Sequence, residues 1–168
     1  MGHNMSSIHL LDALPSLGRA ELVEAVGKLE AEDFDASGAD ILRGLQAIAD
    51  SVPMVGNRGV TVQMLFDHHL NEGDLQGPRA NQIRTRITRM AGATIDPLMV
   101  PHLLRDTLDA RFRRAVSRLA EQMISRADCA PLSDIDTMLA DGVPELRRLR
   151  LRINPETSTR LTALGGAA

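Results

Sequence analysis

The chain has 168 residues, a net charge of -3 and a hydrophobic share of 43%, a balance that suits a packed globular domain and excludes bulk disorder. Aromatic residues make up only 2%, with neither Trp nor Tyr, so the core must be built from Leu, Ile, Val, Met and Ala. That palette argues against an all-β fold, which favours aromatic and β-branched residues, and against modules that stack bases on rings.

In chain order, residues 8–14 suggest a short helical turn ended by Pro15. A helix follows over about Gly18 to Glu32, with Leu22, Val26 and Leu29 on one face. Ser37 is a suitable cap for a third segment, with Asp40 near its free N–H groups. Ile41, Leu42, Leu45, Ile48, Ala49 and Val52 recur there at helical spacing, and Pro53 stops the run. Residues 53–60 contain two glycines and read as a loop.

Thr61 to Asn71 is the next expected helix, with Gly73 as a left-handed stop. Pro78 then opens another, to about Ala91, with Ile83, Ile87 and Met90 as its apolar stripe. Asp96-Pro97 is a helix-start signal, and a long helix is expected over His102 to Arg126. Its stripe is Leu104, Leu108, Phe112, Ala115, Leu119 and Met123, which predicts a wide buried face or a helix–helix seam. Ser133 with Asp136 predicts a short helix stopped by Gly142. Residues 148–153 alternate Arg with Leu or Ile. They fit either a strand or a helix starting at Pro144, and as a strand they could pair in a dimer.

The expected architecture is all-α: a single compact domain, 1–168, of five to seven helices, with a small β element near the C-terminus as an option. The start at residues 1–6 and the Gly-Gly-Ala-Ala end are expected to fray. No secretory signal or transmembrane run is visible, which predicts a cytoplasmic protein without a membrane partner. The single cysteine, Cys129, excludes an internal disulfide and a Cys-rich zinc site.

Charge divides the chain. Residues 1–75 hold four basic and twelve acidic residues, whereas residues 76–168 hold fifteen Arg and ten acidic residues. Two readings follow. The acidic and basic surfaces could face each other within the fold or between subunits, or the basic half could meet a polyanion. Arg79, Gln82, Arg86 and Arg89 share one helix face, and Arg111, Arg114 and Arg118 repeat the pattern on the long helix. Such a face is what docking on nucleic acid needs, although solvated Arg faces of this kind are common. A helix-turn-helix over the Thr61–Asn71 helix and the helix opened by Pro78 has the right order but too long a connection.

A polar cluster at Asp67, His68, His69, Glu72 and Asp74 offers His68 and Glu72 one turn apart. The pair could share a divalent metal if His102 or Asp106 completed the set; ordinary surface histidines at a helix end explain it equally. Asp33, Asp35, Ser37 and Gly38 imitate the start of a calcium loop, but Asp40 and Gly44 stand where that loop needs an apolar residue and a Glu. Nucleotide-binding and nucleophile-elbow motifs are absent from the sequence, and no cofactor is expected. The leading expectation is a non-enzymatic nucleic-acid-associated or regulatory protein. In that reading the acidic N-terminal half faces a protein partner or moderates binding. The alternatives are a helical interaction or homo-oligomeric assembly subunit whose charge halves pair head to tail, and a metal-dependent enzyme using the 67–74 cluster.

Overall fold

The computed structural model describes residues 5–51, 60–127 and 129–154, and these are helical throughout apart from short connections. Among the described residues seven α-helices are formed: α1 Met5–Ala13, α2 Arg19–Gly27, α3 Ala36–Ser51, α4 Val62–Asn71, α5 Ala80–Gly92, α6 Val100–Arg126 and α7 Leu132–Ile153. The all-α expectation holds. The expected loop at 53–60 and the frayed C-terminal end fall outside the described residues, save Val60. Met5 and Ser6, expected to fray, already belong to α1.

Two compact units divide the chain, Met1–Thr107 and Leu108–Ala168. In the first, α3 packs against α1, α2, α4 and α5. Its stripe of Ile41, Leu42, Leu45, Ile48 and Ala49 is buried, with Leu10, Leu14, Leu22, Leu65, Leu75, Ile83 and Ile87 around it. Each fully buried leucine or isoleucine contributes roughly 1.5–3 kcal/mol of transfer free energy, so this aliphatic cluster drives the unit's folding. Gly44 brings α3 against α4. A Cβ there would lie 2.7 Å from His69 Nε2 and 2.8 Å from Leu65 Cδ1, closer than real contacts allow.

Local chemistry explains the helix ends, with some corrections. Asp35, not Ser37, caps α3: its carboxylate accepts from Gly38 N at 2.7 Å and from Ser37 Oγ at 3.2 Å. Asp33 accepts from Glu30 N at 2.8 Å, so both aspartates of the calcium-like stretch are engaged in local turns. The second predicted helix is shorter than expected. It ends at Gly27, and a separate 3-10 turn covers Ala31–Asp33. Thr61 caps α4, accepting from Met64 N at 3.2 Å, and Gly73 takes the left-handed conformation at φ 79°.

The second unit is a hairpin of two long helices, made of α6 from Leu108 onward and α7. Here the tail is helix, not strand: residues 148–153 complete α7, and Leu149 is fully buried. Nor does Gly142 stop a short helix, since α7 runs through both Gly142 and Pro144. Gly142 is there for packing. An added Cβ would sit 2.7 Å from Leu119 Cδ1, so the glycine lets α7 approach α6 closely. Pro144 lacks one N–H and forgoes one backbone bond, which long flanking helix on both sides tolerates.

Candidate functional site

Helix α5 carries the first arginine stripe, and it meets carboxylates of the same unit. Arg79 Nε lies 2.7 Å from Asp40 Oδ2, Arg89 Nε lies 3.1 Å from Asp12 Oδ2, and Arg86 pairs with Asp35. Arg86 also donates to Ser37 Oγ at 2.7 Å. Asp12 and Asp40 are buried, and Arg43 supplies a second cation to Asp40. A buried carboxylate needs such partners, because losing water without them is costly. The apolar stripe of α5 packs inward on Ile83, Ile87 and Met90, and its arginines reach across to α1, α3 and the turn before α3. Gln82 is exposed between them.

The connection between α4 and α5 spans residues 72–79 and contains a 3-10 turn at Asp74–Gln76. It lacks the tight turn of a helix-turn-helix, and the arginine face of α5 is occupied by carboxylates.

The second stripe, Arg111, Arg114 and Arg118, lies on α6 in the hairpin. Arg111 is buried and its guanidinium approaches Glu145 at 3.8 Å, while Arg148 holds the same carboxylate at 2.8 Å. The Arg148 hydrogen bond is the main reason that the Glu145 carboxyl titrates below its ordinary range, against a smaller opposing effect of burial. Arg114 and Arg118 are exposed. The hairpin side that holds Arg111, Arg118, Gln122, Asp141 and Glu145 is therefore ionic.

The opposite side differs in kind. At 100° per residue, Val116, Ala120 and Met123 fall on one flank of α6. Leu132, Leu139 and Val143 fall on one flank of α7. Because the hairpin is antiparallel, both flanks border the face opposite Arg111 and Glu145. Val116, Met123, Leu132 and Val143 are exposed there, and Leu132 is 79% accessible. Ile124, at 76%, lies at the edge of this face near the hairpin tip. Among the described residues of the second unit, only Leu108, Ala115 and Leu149 are buried apolar side chains. Two helices with so small a core leave much of their apolar surface uncovered.

The histidine cluster gathers no ligand set: among the described residues, no group of three His, Cys, Asp or Glu could hold a metal. His68 stacks edge-on against His69 at 5.4 Å, and Glu72 is exposed. His69 is a core residue. Its ring is buried, Nδ1 meets Asp74 Oδ2 at 2.8 Å, and Nε2 has no partner among the described residues. Cys129 is exposed beside the hairpin turn.

Sequence reasoning misses the partners of the stripes and the apolar face. The acid–base split of the two halves is the signal for the partners of the α5 stripe, whereas Arg111 meets Glu145 within the basic half. The apolar face is hidden in the α7 segment, whose periodicity is lost when Gly142 is taken as a break. No family model matches the chain, and no curated protein or solved structure does either.

Proposed function

We propose that the chain is a non-enzymatic helical assembly subunit that associates through the apolar face of its α6–α7 hairpin. One observation carries this reading: Val116, Met123, Leu132 and Val143 are all exposed along one side of a two-helix layer. Contiguous exposed apolar surface of this sort is characteristic of interaction sites. A hairpin that supplies half of a four-helix core is a common way to use it.

The nucleic-acid reading draws less support. Three of the four polar residues of the α5 stripe pair with Asp12, Asp35 and Asp40, so their charge is offset by carboxylates of the same unit even where Arg79 and Arg89 stay half exposed. Exposed arginines remain on the hairpin, including Arg118, Arg147 and Arg150. A cytoplasmic setting is part of this proposal. Among the described residues, no helix is long and apolar enough to cross a membrane.

The deciding measurement is mass by sedimentation equilibrium, from micromolar to near-millimolar chain, with and without duplex DNA. Self-association that disappears in a Leu139→Glu, Val143→Glu variant of unchanged helicity supports assembly through this face. A monomer at every concentration and salt sinks the reading. Salt-sensitive binding of duplex by that monomer would put nucleic acid in its place.

A further inference from the structure

We propose that the occupant of the hairpin's apolar face is a second copy of the same hairpin, packed antiparallel across a two-fold axis near Asp141. This rests on the assembly reading above and adds the partner, the orientation and the register.

The flank of α7 that borders the apolar face carries Leu132, Asp136, Leu139, Val143, Arg147 and Arg150, at spacings of four, three, four, four and three. That is the spacing of a helix–helix seam. Its charges are ordered: the aspartate precedes the apolar centre and the arginines follow it. A two-fold contact is self-complementary, so residue i meets j while j meets i. Laying this flank antiparallel on its own copy sets Leu139 against Val143. The same register brings Asp136 level with Arg147, and Leu132 beside the stem of Arg150. The Asp136–Arg147 pairing then occurs twice, once on each side of the axis. A parallel arrangement would stack Asp136 on Asp136 and Arg147 on Arg147, which like charges disfavour.

Asp136 and Arg147 are exposed and form no ion pair with any described residue. The rest of the hairpin agrees with this register. Gly142 faces Leu119 and Glu145 faces Arg111, so the level of residue 141 on α7 corresponds to about residue 117 on α6. The axis therefore passes beside Val116, which is exposed and would meet its own mate. Leu132 to Arg150 spans about 27 Å, and two helices side by side are about 20 Å wide. The resulting face, on the order of 500 Å² in projection before side-chain relief, approaches the roughly 800 Å² per partner of a standard specific interface.

The test uses the full chain, two charge-reversed variants and their mixture, with helicity monitored throughout. Asp136→Arg and Arg147→Asp should each lower self-affinity by about a hundredfold, because each places two like-charge pairs in the seam. An equimolar mixture of the two variants should regain the wild-type dimer mass. In the mixed dimer one chain is basic at both positions and the other acidic at both, so each seam contact again joins opposite charges. Wild-type dimers broken by Leu139→Glu, Val143→Glu, alongside charge variants that stay dimeric, would overturn the register while leaving the assembly reading standing. Single variants that dissociate but remain monomeric when mixed would overturn it too. A wild-type chain that is monomeric throughout would overturn both.

Discussion

Gly44 shows how much one hydrogen atom can decide. The α3–α4 crossing exists at its present distance because position 44 lacks a Cβ, and His69 fills the space. Gly44→Ala gains helix propensity of about 1 kcal/mol, but it drives a methyl into a buried imidazole and a buried leucine. Overpacking of this kind costs about 1–3 kcal/mol, so the net expected outcome is a lower denaturation midpoint in urea. A rise in the midpoint would mean that the two helices part without cost. Asp12 is a second such position. Arg89→Ala leaves its carboxylate buried without its cation, and stability should fall by about 1–3 kcal/mol. Asp12→Ala combined with Arg89→Ala should recover part of that loss, which a double-mutant cycle would measure.

At the scale of an element, α5 is an internal clamp. Its apolar stripe joins the core, and its arginines hold the acidic groups of α1, of α3 and of the turn before α3. Arg86→Ala with Arg89→Ala should therefore reduce thermal stability and leave duplex affinity unchanged. Loss of duplex affinity with stability intact would return α5 to the role of a contact surface. The hairpin carries its own ionic lock at Glu145. Its carboxyl titrates low because Arg148 hydrogen-bonds to the charged form. A carboxylate with a depressed folded pKa adds stability above its ordinary value of about 4.3, and that contribution fades as pH falls through the lowered one. Acid titration should accordingly loosen α6 and α7, an effect that Glu145→Gln removes from the pH profile of helicity. The group is partly exposed, so solvent screening keeps the change small.

For the whole molecule, the two units differ in how they satisfy their apolar surface. The first closes an aliphatic core around α3, while the second exposes an apolar face of its hairpin. The proposed pairing of hairpins predicts that added salt weakens self-association, through the Asp136–Arg147 pairs, but does not abolish it, because the apolar contacts are not screened. Complete dissociation at moderate salt would point to charge pairing alone.

The helical class was legible from composition, and the α3 stripe from spacing, because both depend on local chemistry. Gly73 and Thr61 were likewise readable, since a turn or a cap needs only its neighbours. The split of acidic and basic halves was plain in the sequence as well. The sequence alone left open which groups the α5 arginines pair with, because Asp12, Asp35 and Asp40 stand 39 to 77 residues away in the chain. Gly142 and Pro144 read as breaks, yet α7 continues through them because α6 needs a glycine where Leu119 approaches. Local propensity is determined along the chain. The partner of a charge, the reason for a glycine and the face left uncovered depend on which helices meet, and only the tertiary structure decides that.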